Sequence, residues 1–95
     1  MQKHLLHHKP NPKVSKKLLL ASDIIGWIGA FMLVLAYLLI SFGVLGSETV
    51  WYQILNILGA GGLLFLGIVR HAIPSAFTNI VWVVIGIVAI INILR

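Results

Sequence analysis

The sequence predicts an all-α membrane protein with three transmembrane helices in a small up-down-up bundle, preceded by a basic flexible N-terminal tail. Of its 95 residues, 60% are hydrophobic and only 9% are charged, whereas about a quarter of a typical soluble domain is charged. Residues 24–94 contain only Glu48 and Arg70 as charged groups, too few to cover a water-soluble fold. Two short turns divide this stretch into segments of about 20 residues, the length that crosses ~30 Å of hydrocarbon.

The predicted tail covers residues 1–22 and holds five lysines, three histidines and two prolines. Because proline interrupts a helix, we expect this tail to be flexible, with its lysines near the headgroups of anionic membrane lipid. His4, His7 and His8 have no neighbouring carboxylate or cysteine to complete a coordination shell, so neither a metal site nor another cofactor is predicted. The tail also lacks interleaved aromatic residues, so no nucleic-acid binding is predicted.

The transmembrane domain is predicted over residues 23–95, and its first helix covers about residues 24–43. Ser22 or Asp23 is placed to cap the first turn of this helix. Gly26, Gly29 and Ala36 fall on one side at helical spacing. Small residues allow helices to approach closely in lipid, so these three positions predict a packing face.

The second helix is predicted over about residues 50–69 and opens with Trp51 and Tyr52, which suit a headgroup boundary. A polar and small stripe then follows at helical spacing, formed by Gln53, Asn56, Ala60, Leu63 and Gly67. Gly59 and Gly62 lie in the glycine-rich centre of the helix and are predicted to pack against a neighbouring helix.

The third helix is predicted over about residues 76–94, just after Pro74. One small and polar stripe crosses its otherwise Ile/Val-rich surface, formed by Ser75, Asn79, Trp82, Gly86 and Ala89. We expect this stripe to be the face that packs against the other helices, with Gly86 at a close contact.

The amides within the spans allow two interpretations. In the first, Asn56 and Asn79 bond to each other or to backbone across helices, as interhelical amides commonly do. In the second, Asn56, Asn79 and Trp82 line a pocket in which the amides bond hydroxyls and the indole stacks on a sugar-like or ring-shaped ligand.

Several short motifs resemble a family of small, uncharacterised bacterial inner-membrane proteins. They are GWIGA at residues 26–30, Tyr37, YQILN at residues 52–56, and Ile73-Pro74 followed by NIV at residues 79–81. The resemblance covers about residues 23–94 and implies the bacterial inner membrane, but it implies no activity. Basic residues favour the cytoplasmic side, so the lysine tail and Arg70 predict a cytoplasmic N-terminus and an external C-terminus.

More distantly, the three-helix plan is similar to that of the SemiSWEETs, half-transporters of the SWEET sugar-transporter superfamily. Asn79, in a Pro-x4-Asn-Ile-Val setting, matches the third-helix asparagine that helps to hold the sugar in that family. The family's pocket tryptophan lies on the second helix, whereas Trp82 lies on the third. This resemblance implies a dimer around a shared pocket.

Two function classes follow, and neither is enzymatic, because the spans lack a nucleophile paired with a base or metal. In the first, the protein is an accessory or structural membrane component that packs on a larger membrane partner through its helix faces. In the second, a homodimer carries a small polar solute such as a sugar, with Asn56, Asn79 and Trp82 facing the shared cavity.

Overall fold

A computed structural model describes residues 15–95, and within that range the chain forms three helices and no strand. The helices are α1, Lys16–Ser41; α2, Val50–Val69; and α3, Ile73–Leu94. Their 26, 20 and 22 residues correspond to about 39, 30 and 33 Å. All three are long and apolar enough to cross a membrane, which confirms the predicted fold class.

The first helix begins much earlier than the sequence predicted. It starts at Lys16 rather than near residue 24, and its N-cap is Ser15, whose side chain accepts a hydrogen bond of 3.1 Å from the Leu18 backbone N–H. Ser22 and Asp23 therefore lie inside the helix, and the prediction that they cap it is wrong. Lysine is a good helix former, and its long stem lets the ammonium reach water, so Lys16 and Lys17 can form the first turn of the helix. The rest of the predicted tail, residues 1–14, lies outside the described residues.

The connection between α1 and α2 closes through backbone hydrogen bonds. Gly43 has a φ of +76°, a conformation that glycine adopts without strain. The backbone N–H groups of Val44 and Leu45 both donate to the Leu39 carbonyl, at 2.8 and 3.1 Å. Both bonds are accepted by this one carbonyl near the end of α1, and they turn the chain toward α2.

The connection between α2 and α3 is shorter, and α3 begins earlier than predicted. His71 has a φ of +55°, and the Ala72 N–H donates to the Gly67 carbonyl at 2.8 Å. The third helix starts at Ile73 rather than near residue 76, with Pro74 in its first turn. Proline fits there because the first N–H groups of a helix have no intrahelical partner.

Backbone contact between glycines joins α1 to α2. A Cβ atom placed on Gly29 would lie 2.5 Å from the Gly59 carbonyl oxygen, and one placed on Gly59 would lie 2.8 Å from the Gly29 carbonyl oxygen. A Cβ on Gly62 would likewise lie 2.8 Å from the Ile25 carbonyl oxygen. The two backbones are therefore as close as glycine allows, the geometry that small residues give to helices in lipid. Ala36 is also buried on this side of α1.

The contact face of α3 is rotated slightly from the predicted stripe. Its buried residues are Ala76, Asn79 and Gly86, whereas Trp82 remains 48% exposed. A Cβ on Gly86 would lie 2.6 Å from Ile57 Cγ1, so α3 approaches α2 closely at this position. The indole is too large to fit between helices this close, so Trp82 lies at the edge of the contact face.

The three helices form an open row with α2 in the middle. Helices α1 and α3 both pack on α2, but among residues 15–95 no Cα of α1 lies within 8 Å of a Cα of α3. Two flanks of α2 therefore remain uncovered between its neighbours, and both are described below.

Candidate functional site

Asn56 and Trp82 meet across the α2–α3 interface. The Trp82 indole N–H donates to Asn56 Oδ1 at 3.1 Å, and Asn56 Nδ2 donates to the Tyr52 carbonyl at 2.9 Å. The Asn56 side chain is 8% exposed. Since an indole N–H in an apolar environment needs an acceptor, this bond fixes the orientation of both side chains.

An open-sided groove of about 130 Å³ lies beside this pair, and we call it the amide groove. It is lined by Tyr52, Gln53, Asn56, Trp82, Ile85 and Gly86. Gln53 is 9% exposed and is held at the rim because its Nε2 donates to the Ser47 carbonyl at 2.8 Å. The amide groove lies toward the end of α2 that is nearest the α1–α2 connection.

Asn79 lies apart from this pair. Its Nδ2 donates to the Ser75 carbonyl at 2.9 Å, within its own helix, and Asn79 is absent from the lining of the amide groove. The structure thus brings together two of the three residues predicted to bind a ligand, Asn56 and Trp82. In the described residues both asparagines donate to backbone carbonyls one turn earlier, a pattern that lowers the cost of burying an amide.

The five glycines predicted to pack helices lie where two helices approach closely. Gly29, Gly59 and Gly62 form the α1–α2 contact, and Gly86 lies against α2. A Cβ on Gly26 would collide with Leu66 Cδ2, so this glycine accommodates a leucine of α2. These glycines are therefore occupied by contacts within the chain.

A larger, apolar recess lies on the other flank of α2. It has a volume of about 560 Å³ and is lined by Ile25, Ile57, Leu58, Gly61, Gly62, Leu64, Phe65 and Val83. Leu58 and Phe65 lie about half a turn around the helix from Asn56, since each residue advances about 100°. The two uncovered flanks of α2 thus differ in chemistry, one carrying amides and the other only apolar groups and glycine.

An ion pair joins α1 to the α2–α3 connection. Arg70 Nε donates to Asp23 Oδ1 at 2.9 Å and Arg70 Nη2 donates to Asp23 Oδ2 at 2.7 Å, a two-point contact. The hydrogen bond and the charge of Asp23 raise the pKa of Arg70 above its ordinary value. Sequence reasoning missed this pair because Asp23 was assigned a capping role. The pair could have been predicted from the topology, because Asp23 and Arg70 carry opposite charges and lie at the same end of an up-down-up fold.

Removing the ion pair is expected to loosen the second connection. Asp23→Asn or Arg70→Gln should raise amide hydrogen exchange at residues 70–72 in nanodiscs, because the guanidinium no longer ties the turn to α1. The effect should be modest, since both side chains are partly exposed to solvent. The double swap Asp23→Arg with Arg70→Asp keeps the net charge at that end and should recover most of the protection. Arg95→Gln serves as control, and unchanged exchange in Asp23→Asn would show that the pair does not hold the turn.

Comparisons with known proteins add a family assignment. Neither the curated proteins nor the solved structures gave a match. A family model matches residues 22–95, which is nearly the whole described range and close to the region of the resemblance noted above. The chain therefore belongs to that protein family, which is uncharacterised.

Proposed function

We propose that this protein is an accessory or structural component of the bacterial inner membrane that holds a larger membrane protein through the apolar recess of α2. No reaction is part of this proposal, because the polar groups around Asn56 are amides, an indole and a phenol, which do not pair a nucleophile with a base. The proposed orientation places the N-terminus in the cytoplasm. It is supported by the five lysines before residue 18 and by Arg70, because basic residues concentrate on that side.

Gly61 carries this proposal. Glycine inside a helix costs about 1 kcal/mol relative to alanine, so a helical glycine usually serves a close contact. Each other glycine in the described helices has a neighbouring atom within 3.2 Å of where its Cβ would be, whereas Gly61 has none within 4 Å. Packing within the chain therefore gives no reason for a glycine here. A helix from another protein, approaching across the recess, supplies one.

Gly61→Leu is expected to abolish the association. A Cβ at this position has no neighbouring atom within 4 Å, so we expect the fold to survive, while the leucine side chain fills the surface on which the partner helix lies. The measurement is the native mass of the tagged protein after gentle extraction from its own membrane. We expect a complex with a different protein in the parent and a loss of at least about tenfold in that complex for Gly61→Leu, equivalent to ~1.4 kcal/mol.

Ala30→Leu is the matched control for this substitution. Ala30 lines a separate recess of about 250 Å³ with Trp27 and Leu63, so a leucine fits there without touching the Gly61 surface. We expect Ala30→Leu to retain the partner. A Gly61→Leu protein that keeps its partner as well as Ala30→Leu does would contradict the proposed docking surface.

The second candidate function is a homodimeric carrier of a small polar solute, similar in plan to the SemiSWEETs. The meeting of Asn56 and Trp82 beside a groove favours it, because an amide and an aromatic face are the groups that bind a sugar-like molecule. In this candidate, Asn79 of both copies faces the shared cavity. The same native-mass measurement separates the candidates, since a clean homodimer supports the carrier and a complex with another protein supports the accessory role.

A further inference from the structure

We propose that the amide groove is a binding site for an uncharged group that bears two or more hydroxyls, either on a lipid headgroup or on a free polyol. The site is complete within one protomer, because α2 and α3 of a single chain supply its walls. This ligand site is additional to the proposed accessory role, because the partner would bind the apolar recess that contains Gly61 and the ligand would bind the amide groove on the other side of α2.

The lining has hydrogen-bonding capacity left over after its contacts within the chain. A primary amide offers two N–H donors and an oxygen with two lone pairs. Gln53 uses one donor, on the Ser47 carbonyl, and Asn56 uses one donor and accepts one bond. Both side chains are about nine-tenths buried, and in the described chain no hydrogen bond is formed by the Tyr52 hydroxyl. A hydroxyl both donates and accepts, so it matches this mixed set of groups.

The surroundings of the groove favour a polar occupant. Helices of this length and composition are able to cross the hydrocarbon of a membrane, where a polar group without a partner is costly. Lipid tails entering the groove would leave the spare amide and phenol groups unpaired, whereas hydroxyls would satisfy them. The half-exposed indole of Trp82 adds an apolar wall on which the carbon skeleton of such a ligand can lie.

The volume of the amide groove and the absence of charged residues from its lining define the ligand further. The groove has about 130 Å³, several times the ~10–15 Å³ that a single water occupies on this measure. Its lining contains no Asp, Glu, Lys, Arg or His. A charged group would enter without a counter-charge, so the bound moiety is the neutral hydroxylated part of a molecule.

Trp82 provides a reporter at the site. The double variant Trp27→Phe, Trp51→Phe leaves Trp82 as the tryptophan whose emission is followed in nanodiscs. Phenylalanine can replace the other two indoles because both are exposed. The free ligand is tested with xylitol in phosphatidylcholine nanodiscs, and the lipid with nanodiscs containing phosphatidylglycerol, whose headgroup is a diol. We expect a saturable change in emission with at least one of these probes. Saturation by xylitol identifies a free polyol as the ligand, and saturation by phosphatidylglycerol alone identifies a lipid.

Two substitutions connect the emission change to the groove. Tyr52→Phe removes only a hydroxyl and should weaken binding about fivefold, the effect of one hydrogen bond. Ile85 lines the groove and is itself 58% exposed, so Ile85→Phe adds bulk at the groove and should abolish binding without removing a polar group. Thr78→Val is the control, because Thr78 is absent from the lining of the groove and its hydroxyl donates to the Pro74 carbonyl of its own helix. The proposal is overturned if neither probe changes the emission or if Ile85→Phe responds like the parent.

Discussion

Gly29→Leu is expected to separate α1 from α2 and to give the largest loss of stability among single substitutions in this chain. The new side chain would begin 2.5 Å from the Gly59 carbonyl oxygen, which belongs to backbone and cannot rotate away. Overpacking of a close contact costs up to about 3 kcal/mol and occasionally more. We expect at least ~3 kcal/mol here, because the helices must move apart along their shared length.

Denaturation in mixed micelles, followed by circular dichroism, measures this loss. Gly61→Leu is the matched control, because it makes the same substitution in α2 where a Cβ meets nothing within 4 Å. Its stability should be equal to the parent's or slightly higher, since leucine favours a helix more than glycine does. If Gly29→Leu unfolded at the same denaturant fraction as Gly61→Leu, the glycine contact would not be what joins α1 to α2.

Breaking the bond between Trp82 and Asn56 is expected to give the next largest effect. Asn56→Leu leaves the indole N–H without its acceptor, and Trp82→Phe removes the donor. Each should lower the free energy of unfolding by about 1 kcal/mol, with an upper limit near 2 kcal/mol, as for other hydrogen bonds between transmembrane helices.

A double-mutant cycle isolates the bond from other effects of these substitutions. The coupling between Asn56→Leu and Trp82→Phe should be about 0.5–1.5 kcal/mol. Trp27→Phe provides the control partner, since Trp27 lies on α1 and forms no bond with Asn56 among the described contacts. Coupling to Trp27→Phe should be near zero. Equal coupling energies in the Asn56/Trp82 and Asn56/Trp27 cycles would mean that the Trp82–Asn56 hydrogen bond makes no specific contribution to the free energy of unfolding.

The sequence predicted the number of helices and the bounds of α2 well, because apolar length and turn residues are local signals. It misplaced the start of α1, since Lys16 and Lys17 were assigned to a tail although lysine extends a helix readily. The pairing of Asp23 with Arg70 depends on two residues that are far apart in the sequence. Periodicity within each segment cannot show such a contact.

The candidate site was predictable in part. Helical spacing placed Asn56 and Asn79 on polar stripes, and both are buried. Which residue meets which depends on the rotation of each helix, and for α3 that rotation follows from the bulk of Trp82, which keeps the indole at the edge of the contact. A stripe also says only that a face is covered, so it could not show that α1 and α3 both pack on α2 while no Cα of one lies within 8 Å of a Cα of the other in the described residues.

The open row has a consequence for how the protein is made. Among the described residues, each helix packs only on the helix that precedes or follows it in the chain. A contact between two consecutive helices does not require the rest of the chain to be finished. The hairpin of α1 and α2 can therefore assemble in the bilayer while the ribosome is still synthesising α3, which then docks on a surface already in place.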